Sequence, residues 1–216
     1  MKLFQKKKKI AVVCIHGFGV RGPKEFANIE PALKQAGYDV FIPRLFDLNN
    51  PNDIEWGNWI FNAEKCINQI QSEYEQIVLI GFSMGGIIAS YLANKAKVSK
   101  LILLAAAYDY LNIDNVIDYI FKRNKNSTIP TSFKNCFKEL VDNTKTSIER
   151  IQVPTLLLHC AEDEVININS SFKLIKKIPI EDKLLITFSQ GQHRMLDDIQ
   201  CKDYVIQNIL YFIQRP

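Results

Sequence analysis

Apolar residues along this chain fall into short unbroken runs: "IAVVCI" from Ile10, "IVLI" from Ile77, "LILLAAA" from Leu101, "TLLLHC" from Thr155 and "LLITF" from Leu184. None alternates polar with apolar, which predicts strands covered on both faces, as in a parallel sheet. "YDVFIPRLF" from Tyr38 predicts a further strand. Helix-like stretches lie between them, around Lys24 to Gln35, Trp59 to Glu75, Met84 to Ala96, Asn169 to Lys177 and Asp197 to Gln214. Strand and helix in repeated alternation predict an α/β fold, a mostly parallel sheet joined by right-handed crossovers.

One interval breaks the alternation. From Tyr108 to Pro154 no strand-like run occurs between two strands, so it reads as an insertion. "LNIDNVIDYIFKR" spaces Ile113, Val116, Ile117, Ile120 and Phe121 as an amphipathic helix does, and "TSFKNCFKELV" predicts a second, shorter helix. Such a pair, over about 108–150, can form a lid across the carboxyl ends of the strands, where open α/β sheets bind ligands. No flexible linker, internal repeat or low-complexity tract divides the chain, so 1–216 reads as a single domain.

Composition narrows the class without overturning this picture. A chain of 216 residues buries roughly 70% of its unfolded surface, enough for a sizeable core. Apolar residues at 47% and charged residues at 23% exclude a disordered or fibrous design. Much of the net charge of +4 sits in the run Lys6 to Lys9, which reads as a solvated segment rather than a nucleic-acid surface. That run and "IAVVCI" imitate a signal peptide, but the apolar part stops after six residues at His16. No run approaches the length of a membrane span, so no stable membrane insertion is expected. The five cysteines, Cys14, Cys66, Cys136, Cys160 and Cys201, show no metal-ligand spacing and cannot all pair within one chain. Cys14 and Cys160 lie in strand-like runs, where a thiol packs as a small hydrophobe. A reduced, cytoplasmic setting fits this pattern.

The chemistry starts at Gly81-Phe82-Ser83-Met84-Gly85. This G-x-S-x-G pattern follows a buried strand and opens a helix, the context in which a sharp turn lifts a serine hydroxyl above the sheet. Strand and helix then pass so close that only small residues fit two before and two after the serine, a clearance supplied by Gly81, Gly85 and Gly86. A serine needs a base. Of three histidines, His193 lies in "SQGQHRML" between the last strand and the last helix, on the edge where Ser83 is expected. His159 ends a strand. His16 opens "HGFG" after the first strand and is better suited to holding that loop than to acting as a base.

An imidazolium formed beside Ser83 needs a carboxylate to fix its tautomer and stabilise its charge. "HCAEDEVI" offers Glu162, Asp163 and Glu164 on a loop after a strand; Asp163 is the candidate, with Asp109 the alternative. The order serine, acid, histidine is the one expected on this architecture. The oxyanion formed on attack needs preorganised donors, each contributing about 3–4 kcal/mol. The backbone N–H of Met84, at a helix start, and that of Phe18, in "HGFGVRG", are placed to supply them. Their side chains remain to line an acyl pocket. Trp56 and Trp59 read as packing at a helix start.

Taken together, "HGFG", "GFSMGG", "LLLHCAEDEVI" and "GQH", in order from residue 16 to residue 193, resemble the α/β-hydrolase superfamily, and within it small bacterial carboxylesterases and monoacylglycerol-lipase-like serine hydrolases. The third element resembles the strand-end pattern H-G-x-x-D-x-x-V, which also implies Asp163 as the acid, with Ile166 at the valine position. Cys160 stands where the usual glycine would be, and Asn167 where many relatives have proline. The family commonly has two strands before the "HGFG" strand, so a trimmed sheet of about six strands is expected. The resemblance implies hydrolysis of carboxylic esters through an acyl-enzyme, with no metal and no organic cofactor, and the apolar residues expected to line the acyl pocket favour short to medium chains. The partner is then a small acyl ester, resting on Phe18, Met84 and the lid residues Ile117, Ile120 and Phe121. Alternatives on the same scaffold are a thioesterase or other acyl hydrolase, or a catalytically silent binding protein; dehalogenase-like relatives carry an aspartate at the position of Ser83.

Overall fold

The apolar runs become strands whose residues are sorted by side. In β1 (Ile10–Ile15), Ala11, Val13 and Ile15 join one core cluster while Val12 and Cys14 join the other, the period-two alternation of a strand buried on both faces. The computed structural model describes residues 9–108 and 130–216. Among these, β1 is joined by β2 (Asp39–Phe41), β3 (Gln76–Phe82), β4 (Lys100–Leu104), β5 (Thr155–Cys160) and β6 (Lys183–Phe188) in a six-stranded sheet of order β2-β1-β3-β4-β5-β6. Every pairing is parallel, with Ile15 opposite Gly81, Phe82 opposite Leu104 and Cys160 opposite Phe188. All carboxyl ends therefore open on one rim.

Helices cover both faces. α1 (Glu30–Gln35) and α6 (Lys202–Gln214) place Leu33, Val205, Ile209 and Phe212 against Val12, Val78, Ile80 and Ile102. On the opposite face α2 (Trp56–Ile70), α3 (Met84–Ala93) and α4 (Thr131–Thr144) bury Trp59, Ile67, Ile87, Leu92, Phe133 and Phe137 against Leu79, Leu101, Leu103 and Leu157. α5 (Asn169–Lys177) adds Leu174 on that side.

Element boundaries depart from the sequence reading in ways with local causes. β2 ends at Phe41, two residues before Pro43, which has no N–H to give to a ladder. The run "LILLAAA" stops being strand at Leu104, because Ala105 turns to φ 43°. The stretch Lys24 to Gln35 splits into a 3-10 turn (Gly22–Phe26) and α1, and the last helix starts at Lys202 rather than near Asp197. β6 is half exposed, with Leu184 40% accessible, because it is an edge strand with no neighbour on its outer side among the described residues. In the insertion, "TSFKNCFKELV" is the core of α4, burying Phe133, Cys136, Phe137, Leu140 and Val141 at helical spacing. The first expected lid helix, with Ile117, Ile120 and Phe121, and the alternative acid Asp109 lie outside the described residues. Among the described residues no helix is long and apolar enough to cross a membrane.

Candidate functional site

Ser83 stands between β3 and α3 with φ 52° and ψ −119°, a conformation that L-residues avoid and that costs about 1–3 kcal/mol. Backbone hydrogen bonds hold it there: its N–H donates to Leu104 O at 2.9 Å, and its carbonyl accepts from Gly86 N at 2.9 Å and Ala107 N at 3.2 Å. The glycines are required by contact. A Cβ on Gly85 would lie 2.0 Å from Ile15 O, and one on Gly81 would lie 2.5 Å from Gly85 O and 2.6 Å from Gly86 Cα. The sequence thus folds into this turn because helix and strand cross at backbone distance, where any side chain would push them apart.

Asp163 follows β5, and its side chain is inaccessible to solvent. Its Oδ1 accepts from Val165 N at 2.8 Å and Ile166 N at 2.7 Å, while Oδ2 accepts from His193 Nδ1 at 2.8 Å. Burial alone would raise this carboxyl, but the His193 ring, together with the hydrogen bonds from His193 and His159, holds it well below the usual carboxylate range. Because Nδ1–H is committed to the carboxylate, His193 presents Nε2 as an acceptor. The His193 ring lies 4.9 Å, centroid to centroid, from that of Phe82, the residue before Ser83. Its own N–H donates to Glu164 Oε2 at 2.9 Å. The fold thus brings the histidine to Asp163 and to the strand end that carries Ser83. Among the described residues the Ser83 hydroxyl makes no hydrogen bond, and such a contact commonly tightens only when substrate arrives.

The loop after β1 presses on the same turn. A Cβ on Gly17 would lie 3.1 Å from Phe82 Cδ1 and 3.2 Å from Ser83 Cβ, so the N–H of Phe18 follows directly after a residue that passes close to Ser83. His16 holds this loop: Nε2 accepts from Leu45 N at 3.1 Å and Nδ1 lies 2.8 Å from Gly17 O. Burial lowers its pKa to about 4, against the hydrogen bond to Gly17, which favours the charged ring. With both nitrogens engaged on backbone, His16 is a structural residue. The Phe18 ring is buried against Phe137, Phe46 and Trp59 at 5.3, 5.6 and 5.9 Å, and the Met84 side chain is fully buried in the same cluster. Trp59 packs there as well, with Nε1 donating to Asp53 O at 3.2 Å.

Several supporting residues escaped the sequence reading. Arg21 and Asn28, on either side of the 3-10 turn, bind Asp197, the Asn28 contact being 2.8 Å; Asn28 also donates to Leu196 O at 3.0 Å, and Arg194 reaches Glu25 at 2.7 Å. These bonds tie the loop after β1 to the loop carrying His193, across more than 160 residues of chain. His159, four residues before Asp163, is wholly buried and faces that acid. The spacing His-x-x-x-Asp at a strand end was the available signal. Gly191, at φ 102°, lets the histidine loop pass a thiol pair, Cys160 and Cys201, whose sulfurs are 3.6 Å apart. Among the described residues no group of three or more His, Cys, Asp or Glu side chains is placed to hold a metal ion.

A family model described as "alpha/beta hydrolase fold" matches residues 10–149, more than half of the chain. The chain belongs to the alpha/beta hydrolase family. A second model, described as a serine aminopeptidase, matches residues 122–200 of this hydrolase. It is 24% identical over 207 residues to a thermostable monoacylglycerol lipase of a Bacillus species, an alignment covering 85% of this chain and 82% of that one. A carboxylesterase of Bacillus subtilis is 20% identical, covering 95% and 92%. Among solved structures, one described with the metagenome-derived lipolytic enzymes LipS and LipT superposes with a TM-score of 0.79 at 17% identity, covering 96% of this hydrolase and 94% of that chain. A monoacylglycerol lipase of Paleococcus ferrophilus gives 0.72 at 17% identity, covering 94% and 93%. At these identities the structural likeness is one of fold.

Proposed function

We propose that this hydrolase is a serine carboxylesterase that cleaves small acyl esters through Ser83, His193 and Asp163. The observation that carries the reading is the 2.8 Å bond from His193 Nδ1 to a buried Asp163, with the same ring against the strand end that carries a strained Ser83. Its relatives named as a monoacylglycerol lipase and a carboxylesterase support ester hydrolysis.

In this mechanism the Ser83 hydroxyl attacks the ester carbonyl while His193 Nε2 takes its proton. Asp163, ionised and fully hydrogen-bonded, stabilises the resulting imidazolium. The oxyanion is met by the backbone N–H groups of Phe18 and Met84, the second at the start of α3, where the helix dipole favours negative charge. His193 then protonates the departing alcohol. Water, activated by the same imidazole, releases the acid from the acyl-serine and returns the proton to Ser83. No step calls for a metal or an organic cofactor. Acyl chains of short to medium length belong to the same proposal, resting on the apolar character of Phe18 and Met84 in the sequence, as does a cytoplasmic setting, resting on its cysteine pattern.

A fluorophosphonate probe together with a series of p-nitrophenyl esters tests the proposal. The wild type is expected to be labelled and to hydrolyse C2 to C8 esters, while Ser83→Ala is unlabelled and slowed by roughly 10⁴- to 10⁶-fold. Equal labelling of both proteins, or no turnover of any ester, would overturn the proposal.

A further inference from the structure

His159 lies at the end of β5 with its ring wholly inside the protein. Its Nε2 is 2.9 Å from Ile166 O and 3.1 Å from Asp163 Oδ2. Facing two oxygens, Nε2 must carry the proton; Nδ1 is therefore the acceptor, and the Ser171 hydroxyl on α5 donates to it at 2.6 Å. Ser171 thus fixes the tautomer of His159. The oxygen that His159 faces is the one that accepts from His193, so two ring N–H groups share the charge of Asp163 Oδ2.

We propose that His159, held by Ser171, is a positioning residue: it fixes Asp163 Oδ2 in the orientation that aligns His193 and sets the pH at which His193 works as a base. The inference rests on the catalytic reading above. A carboxylate with one oxygen anchored by two backbone N–H groups can still pivot about that oxygen, and His159 is the contact, besides His193 itself, that restrains the other. The charge that Oδ2 directs at His159 is also charge not directed at His193. Removing the His159 N–H therefore strengthens the Asp163–imidazolium interaction and moves the acid limb of kcat/KM to higher pH.

The other polar and titratable groups around His193 have partners that none of these substitutions touches. Glu164 accepts the His193 N–H, Asp198 accepts Gln192 N at 2.9 Å, and the Cys160 and Cys201 thiols are pushed up chiefly by burial. Arg194, next to His193, is paired with Glu25.

The test compares wild type with His159→Leu, His159→Gln and Ser171→Ala by ester hydrolysis across pH and by ¹⁵N NMR of the imidazoles. With three histidines in the chain the spectrum is readily assigned. In wild type, the neutral His159 ring is expected to show the Nε2–H tautomer. In His159→Leu, kcat is expected to fall about tenfold at unchanged KM, with the acid limb and the His193 ¹⁵N transition both rising by about 0.5–1 pH unit. His159→Gln, whose amide N–H₂ reaches where Nε2 stood, is expected to restore the wild-type profile. Ser171→Ala, which frees the ring without deleting it, is expected to move both readouts the same way by less, and it decides the matter if His159→Leu does not fold. Unchanged pH profiles and ¹⁵N transitions in the folded variants, with only a lowered Tm, would overturn the proposal. Absence of ester turnover by the wild type would instead overturn the catalytic reading and leave the NMR comparison to decide the role of His159.

Discussion

Ser83 stands on a turn where one added methyl group would collide with backbone, whereas Asp163 and His193 stand on loops whose shape is carried by hydrogen bonds and charge. Ser83 is positioned by exclusion: Gly81 and Gly85 leave no space for a Cβ and Gly17 leaves little, so strand, helix and loop meet in one arrangement. Asp163 and His193 are positioned by partners: two backbone N–H groups and two imidazoles converge on one carboxylate. Steric positioning is insensitive to pH and intolerant of bulk. Polar positioning is less sensitive to a small change in volume but fails when a donor meets a donor or when a proton is added.

Asp163→Asn probes the polar side with the largest expected effect. Asparagine nearly matches aspartate in shape, yet its amide group would point N–H at the N–H of His193 or at the backbone donors of Val165 and Ile166. His193 is then driven to the wrong tautomer, and kcat is expected to fall by about 10⁴-fold, equivalent to roughly 5 kcal/mol of transition-state stabilisation. Steady-state hydrolysis of a p-nitrophenyl ester measures it. A loss of less than tenfold would mean that the volume of the side chain, rather than its hydrogen-bonding pattern, is what matters there.

Gly85→Ala probes the steric side. The new methyl would lie 2.0 Å from Ile15 O and 2.6 Å from His16 O, both backbone atoms that cannot move aside without shifting β1. A destabilisation of more than about 3 kcal/mol is expected, at the upper end for overpacking. Gly57→Ala, at an exposed position of α2 with nothing within 4 Å of the added Cβ, is the control and is expected to stabilise by up to about 1 kcal/mol. Urea denaturation of both variants checks the pair.

The two regions also part company in acid, and here the loop after β1 behaves like the polar side. The folded protein holds His16 down to about 4, so the unfolded chain takes up a proton near pH 6.5 while the folded chain does not. The contribution is whole above pH 6.5 and is lost as pH falls from 6.5 to 4, amounting to about 3 kcal/mol. Asp163 has a depressed carboxyl; its contribution is present above the unfolded value near 4 and is lost only below it. Urea midpoints of wild type and His16→Gln should therefore converge between pH 6.5 and 4. Parallel curves would show that His16 is not held uncharged by burial.

How much of this was legible in the sequence follows the same division. The strands were legible because an apolar run buried on both faces needs no partner to be recognised, and the Ser83 turn because its glycines are adjacent in sequence. Helix ends were less so: none of α1 to α6 has a side-chain N-cap hydrogen bond, so the capping signal is missing and packing does more to decide where each begins. Asp163 and His193 could be read from loop position and chain order. His159 was marked only by its spacing from Asp163, and its role could not be read, since it depends on Ser171 twelve residues on and Ile166 across the loop, contacts that exist only once α5 has packed. The Arg21–Asp197 pair joins residues 176 apart and left no local trace.

The smallest expected effect isolates the strain itself. At φ 52° and ψ −119° both serine and alanine carry the cost of a Cβ, so Ser83→Ala removes the hydroxyl and leaves the strain. Ser83→Gly removes both. Against the relief of about 1–3 kcal/mol stands the larger unfolded-state entropy of glycine, about 0.5–1 kcal/mol, which leaves a net gain of about 1 kcal/mol. In a chain of this size that is a rise in Tm of about 2–4 °C. Thermal melts of the three proteins separate the cases: Ser83→Ala should melt with the wild type and Ser83→Gly above both, while neither variant hydrolyses ester. Equal melting of Ser83→Gly and Ser83→Ala would mean that the turn is relaxed, and that the glycines around Ser83 serve close approach alone.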